Sequence, residues 1–248
     1  KKNYNPNNYS NIKSYSENLF IVGMLRSGST LIESIISMNK DVFDLGEKNI
    51  LEDSVKEWNI DRENNDLNDI YQTKINHFSN NKKISTNKWL YNYRFSGLIA
   101  NQMPKGKIIY CSRHPLDNIL SIYRAHFAKG NRYSSSLIDC TKLYINHAYI
   151  MKQYYAIFPN KIYHLKYENL VSNPIFEIKS LINWLDWPWE ESYLASHLNQ
   201  RVVSTASNVQ VRSKINTRSI NSWKNYKLLL EPAIKLLRAR EEYQEIFD

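Results

Sequence analysis

The sequence predicts an α/β fold, a central parallel sheet flanked by helices in three layers, and two observations carry that expectation. Short apolar runs bounded by turn residues alternate along the chain with segments whose apolar residues recur at helical spacing. At 248 residues, the chain is also long enough to bury the core that such a domain needs. No internal repeat interrupts the alternation.

Residues 1–17 are polar and aperiodic and read as an arm or linker, ahead of one domain over 18–248. A buried strand is expected over 18–24, then a helix over 29–38 and a short strand over 42–45. Residues 48–79 read as polar helical material, broken near Asn64-Asn-Asp66. A weak strand over 83–86 precedes a helix near 92–103, and Lys107–Ser112 forms a strong buried strand. Pro115 suits the first turn of the next helix, expected to reach 128. A longer helix spans 137–157, a strand 161–166, and Pro174 opens a helix to 185. The pattern is then irregular until Leu228, where an amphipathic closing helix runs to 246.

Bulk properties narrow the function classes. A net charge of +9 favours anions, and leaves nucleic acid, an anionic cofactor and an acidic substrate open. Two cysteines are too few for a disulfide framework, and Cys111 sits in an apolar run as a buried reduced thiol. No stretch reaches the ~18 apolar residues of a membrane span, and the N-terminus is too polar for a signal peptide. The expected location is therefore cytoplasmic. The chain opens on Lys1 without Met and reads as a segment of a longer protein.

The most informative stretch is the expected strand Leu19–Val22, the loop Gly23-Met-Leu-Arg-Ser-Gly-Ser-Thr30, and the helix that follows. Strand, glycine and hydroxyl-rich loop, then helix is a geometry that cradles phosphate, because N–H groups and the dipole of the helix N-terminus face the anion. The loop is P-loop-like but not a Walker A motif, since no lysine precedes its Ser/Thr. Arg26 supplies the fixed charge instead, with Ser27, Ser29 and Thr30 as hydroxyl donors and Gly28 as the turn residue. In open α/β sheets, ligands bind at the carboxyl ends of strands. The polar residues just past the candidate strands are Arg26, Glu47, Lys88, Arg113 and Tyr167, so one phosphate loop, one acid, two cations and one phenol are expected on one rim.

These segments resemble the sulfotransferases that use 3′-phosphoadenosine 5′-phosphosulfate (PAPS). Arg26-Ser-Gly-Ser-Thr-Leu31 is similar to their 5′-phosphosulfate loop. Arg113-His-Pro-Leu-Asp-Asn-Ile-Leu-Ser121 is similar to their 3′-phosphate motif, an Arg at a strand end and a Ser eight residues on. Gly46-Glu47, Thr86-Asn-Lys88, Tyr167-Glu-Asn-Leu-Val and Thr205–Arg212 leading to Ser219-Ile-Asn-Ser-Trp223 agree in order. The likeness covers roughly residues 18–230. It is greatest to the tetratricopeptide-associated bacterial enzymes and, through them, to tyrosylprotein sulfotransferases.

The resemblance implies transfer of a sulfuryl group to a hydroxyl acceptor (tyrosyl, sugar or small molecule), with no metal. It makes Glu47 the general base, 21 residues after Arg26, and Lys88 the contact to the bridging oxygen. Arg26 to Thr30, Arg113, Ser121, Tyr167, Ser219 and Ser222 become donor-binding residues. Relatives carry a catalytic serine two residues before Trp223, where this chain has Asn221. Blander readings stand beside these: Glu47 as a helix cap, Lys88 as a solvated lysine, Arg113 in an ion pair, Tyr167 as core. Two other functions compete, a P-loop nucleotide kinase and a basic nucleic-acid-binding module, the latter encouraged by aromatic patches such as Trp184–Trp189. A kinase would need the missing loop lysine and a Mg²⁺-binding Asp. Acceptor contacts are expected from 48–80 and 128–137.

Overall fold

The computed structural model describes residues 17–125, 127, 130–199 and 211–247. The strands are β1 (Glu17–Gly23), β2 (Val42–Asp44), β3 (Ile84–Asn87), β4 (Gly106–Ser112) and β5 (Ile162–Lys166). They form one parallel sheet in the order β2-β3-β1-β4-β5. The central place of β1 follows from its residues, because Leu19, Phe20, Ile21 and Val22 are apolar and buried on both faces, as a parallel core strand requires.

Alternation along the strands divides the core. Leu19 and Ile21 of β1, with Ile109, Cys111 and Leu165, pack under α1 (Ser29–Ile36) and α8 (Pro174–Trp184). Phe20, Val22, Ile108, Tyr110 and Ile162 face the other way, toward α2 (Ile50–Trp58), α3 (Leu67–Asn76) and α4 (Ser96–Gln102). Met151 of the long helix α6 (Leu137–Ile157) joins this second layer. A third apolar cluster ties α5 (Pro115–Tyr123) and α6 to α9 (Glu231–Arg238). Helix α7 (Tyr167–Ser172) directly follows β5. Three layers around a parallel sheet are the architecture expected from the sequence.

Several boundaries differ for physical reasons. Glu17, assigned to the polar arm, opens β1 by pairing with Ile84; the rest of the arm lies outside the described residues. The polar stretch 48–79 resolves into α2 and α3, and Asp66 caps α3 by accepting from the Asp69 amide at 3.0 Å. The helix from Pro115 stops at Tyr123 rather than near 128, because its buried stripe of Leu116, Ile119, Leu120 and Ile122 ends there. The closing helix is shorter than 228–246. Pro232 sits in its first turn, and beyond Leu237 the next facing positions are Arg240 and Glu241, which offer no apolar stripe. A 3-10 turn, Glu241–Phe247, continues from it. The helix α7 was not anticipated as a separate element. Among the described residues, no helix is long and apolar enough to cross a membrane.

Two buried polar residues mark where this fold is vulnerable. Asp117, in the first turn of α5, accepts from the amides of Asn221 (2.7 Å) and Trp223 (2.9 Å) and so clamps a loop more than a hundred residues away. Removing the carboxylate leaves two inward-facing N–H groups unpaired. Asp117→Ala should therefore lower unfolding free energy by at least about 2 kcal/mol in urea titration, with Asp117→Asn in between. A loss below about 0.5 kcal/mol would show that the loop needs no clamp.

His147 of α6 is 2% exposed beside Tyr93 and Tyr110, with its Nε2 unpaired among the described residues. Burial pushes its imidazole down to about 3, so it is neutral when folded and titrates near 6.5 once unfolded. Between those values the unfolded chain binds the extra proton. Stability from this residue is complete above pH 6.5 and is lost as pH falls toward 3, at about 1.4 kcal/mol per pH unit. His147→Phe should flatten the decline in urea midpoint between pH 7 and pH 5. An unchanged slope would assign acid sensitivity to other groups.

Candidate active site

The turn from β1 into α1 is built around positions that exclude side chains. Gly23 has φ 154°, and a Cβ there would stand 2.4 Å from the Cys111 carbonyl oxygen, so β1 and β4 close together only over glycine. Gly28 has φ 93°, and its missing Cβ would meet the Tyr167 ring at 2.7 Å. Arg26 takes a left-handed φ of 66° between them, which turns the loop back on itself. Ser27 is buried within the turn, and its Oγ has no hydrogen-bond partner among the described residues. Helix α1 begins at Ser29 and Thr30, both buried, with Gly28 at its N-cap and no acid in its first turn. Its N-terminal charge is therefore left for a ligand to meet.

Arg113, just past β4, organises the opposite wall. It is 9% exposed; its Nη1 donates to the Arg26 carbonyl at 3.2 Å and its Nη2 to the Ser219 carbonyl at 2.7 Å. The guanidinium lies over the Tyr167 ring at 4.8 Å, and its Nε is buried without a partner among the described residues. Tyr144 of α6 donates its hydroxyl to the Arg113 carbonyl at 2.8 Å, fixing the backbone from beneath. Arg26 reaches Ser121 of α5 through Nε at 3.0 Å. Burial, and then the neighbouring Arg113, push the pKa of the Arg26 guanidinium down.

Arg26, Gly28, Thr30, Arg113, Tyr167 and Ser219 line one cavity of about 310 Å³, with Leu31, Val171, Val211 and Ile215 as apolar wall. Lys214 and Arg218 add charge, and among the described residues no carboxylate lines it. The second cluster lies past β2 and β3. Lys88, 1% exposed, contacts Glu47 Oε1 at 2.6 Å, and the Glu47 side chain is 41% exposed. Neither residue lines that cavity. The charge of Lys88 nevertheless reaches Cys111, where it opposes the rise to about 12 that burial imposes on the thiol.

Most residues singled out in the sequence thus fall into these two groups. Ser222 does not: it lies outside the cavity, and its Oγ donates to the Arg218 carbonyl at 3.3 Å. Asn221 has φ 58°, a left-handed conformation that asparagine tolerates better than most residues, and its amide is held by Asp117. Residues 205–210 of the segment before it lie outside the described residues. Sequence reasoning missed Asp117, Tyr144, Lys214 and Arg218. Asp117 carries a visible signal, a carboxylate in the first turn after Pro115, but its partners are distant in the chain. Lys214 and Arg218 belong to a basic run that continues past Arg212. None of the described residues of 48–80 and 128–137, where acceptor rather than donor contacts are expected, lines this cavity, and residues 128 and 129 lie outside the described residues.

Comparison with known proteins agrees with this fold. The sulfotransferase domain of the Synechococcus PCC 7002 olefin synthase superposes with a TM-score of 0.63 at 16% identity, covering 90% of this chain and 94% of that one. Mouse sulfotransferase SULT7A1, solved in complex with 3′,5′-adenosine bisphosphate (PAP), gives a TM-score of 0.52 at 12% identity, covering 94% and 90%. An uncharacterized protein of Aquifex aeolicus (strain VF5) is 28% identical over 243 residues, 89% of this chain. The matched region is only 32% of that protein, so the chain spans about a third of its relative's length. The model of the sulfotransferase family matches residues 18–191, from the start of β1 through α8. On that match, the chain belongs to the sulfotransferase family.

Proposed function

We propose that this chain transfers a sulfuryl group from PAPS to a hydroxyl acceptor. The observation that carries the reading is the convergence of two guanidiniums, Arg26 and Arg113, on a helix N-terminus in a cavity that no carboxylate lines among the described residues. The residues present suit the donor. Arg113 Nε and Ser27 Oγ are buried polar atoms without a partner among the described residues, and the bare Gly28 lets a ligand approach the backbone closely. Arg26, Ser27, Gly28, Ser29 and Thr30 would hold the 5′-phosphosulfate, and Arg113 with Ser121 the 3′-phosphate. Tyr167 and Ser219 complete the walls. Ser222 acts only through the loop it braces. The PAP complex of the mouse relative supports this choice of nucleotide.

PAPS supplies an activated sulfuryl group; the protein supplies position and charge. Glu47, half-exposed past β2, takes the acceptor's proton. Lys88 faces the charge that grows on the donor side, and its contact with Glu47 holds both side chains in one orientation. The two buried thiols suit a reducing compartment, and we place the protein in the cytoplasm.

Calorimetry should find PAP binding without added Mg²⁺, and in preference to AMP or a DNA duplex. Stabilisation by ATP–Mg²⁺ with indifference to PAP would favour a kinase, and steeply salt-dependent duplex binding a nucleic-acid module. Arg113→Ala should weaken PAP by roughly 10- to 100-fold and AMP far less, as loss of a charged hydrogen-bond donor predicts. Equal weakening of both nucleotides would assign Arg113 another task.

Chemistry separates from binding at Glu47. Glu47→Gln keeps shape while removing the base, so PAP affinity should hold while turnover of labelled PAPS falls by about 10²-fold or more. Arg26→Ala should damage both. Near-normal turnover in Glu47→Gln would leave Glu47 only the structural role of partner to Lys88 and put the base elsewhere.

A further inference from the structure

The face of β4 and β5 turned toward α6 carries a second cavity, of about 820 Å³. The parallel register sets Tyr110 beside His164 and Ser112 beside Lys166, and residues two apart on a strand share a face. These four side chains therefore project together, away from Arg113 and Tyr167. Tyr110 and His164 stack at 4.7 Å and 14°, and Tyr155 of α6 closes edge-on against His164 at 5.9 Å. Tyr144 and Tyr243 form a second aromatic pair at 6.3 Å. Ser112 Oγ and His164 Nε2 share a hydrogen bond of 2.8 Å between the strands.

The charges of this cavity do not cancel. Among the described residues its lining holds a single acid, Glu242, which contacts Arg240 at 3.7 Å, while Lys152 and Lys166 have no ion pair among those residues. Burial, helped by Lys166, pushes His164 down to about 4, so it adds no charge at neutral pH. Tyr149 and Tyr155 remain 62% and 43% exposed at its mouth, a large aromatic surface left open to solvent.

We propose that this cavity is a second ligand site, separate from the nucleotide cavity, for a planar aromatic anion: a one- or two-ring arene bearing a single sulfonate, sulfate or carboxylate. Its ring lies along the tyrosines and its charge meets Lys152 and Lys166. Concave aromatic walls with a few convergent polar groups are the usual form of a small-molecule site.

The probe is 2-naphthalenesulfonate, titrated calorimetrically into the whole chain, with neutral 2-naphthalenemethanol as control. Lys152→Glu should weaken the sulfonate by about fivefold or more, as should Tyr155→Ala, while Arg113→Ala leaves it within about twofold. Both variants lie on the exposed side of α6, and circular dichroism checks that they fold. The alcohol should bind at least about fivefold more weakly than the sulfonate. Loss of binding in Arg113→Ala alone would move the probe to the rim cavity and overturn the proposal. So would equal binding of alcohol and sulfonate, or no binding at about 5 mM. None of these outcomes depends on PAP, so this site and the sulfuryl-transfer reading stand or fall separately.

Discussion

The rim of this molecule depends on how one guanidinium is held. Arg113 joins the β1–α1 loop through the Arg26 carbonyl, the C-terminal loop through the Ser219 carbonyl, and the start of α7 through the Tyr167 ring. Its own backbone rests on Tyr144 from α6. Two cations so close and so poorly solvated repel, and the folded chain bears that cost because carbonyl dipoles and a π face replace the lost water. Such an arrangement is most comfortable when an anion arrives. The same interaction that gathers four segments therefore also defines what they await.

The second cluster works by a different balance. A lysine that is 1% exposed would be costly to bury alone, and Lys88 is paired with the Glu47 carboxylate at 2.6 Å. Glu47 in turn keeps a solvent-facing side, so the pair joins a dry interior to an open edge. β2 and β3 set that contact through their register, since Asp44 pairs with Thr86 and the two side chains lie just beyond. A slip of one residue would turn both away.

Strand alternation also explains why β4 and β5 open onto two different cavities. Cys111 and Leu165 face α1 and α8, and the next residues of the same parity, Arg113 and Tyr167, open the rim cavity. Tyr110, Ser112, His164 and Lys166 have the opposite parity and open the cavity under α6. Two faces of one strand pair thus carry two kinds of charge-lined space, separated by the thickness of the sheet.

Sequence alone determined the sheet, the crossovers and the strand ends, because each depends on local signals. Apolar runs such as Leu19–Val22 mark buried strands, Pro115 and Pro174 mark helix starts, and the glycines of the β1–α1 loop mark a turn that tolerates no side chain. Placing Arg26, Glu47, Lys88, Arg113 and Tyr167 at strand ends needed only that map. Helix ends were less legible, since α5 and α9 stop where tertiary burial stops. The partnerships were decided by the fold: Arg113 with Ser219, Asp117 with Asn221 and Trp223, Tyr144 with Arg113. Each joins residues tens of positions apart, and no local pattern encodes which distant backbone group a side chain will meet. Periodicity names the elements and their faces; only packing brings the loops close enough for hydrogen bonds to choose among them.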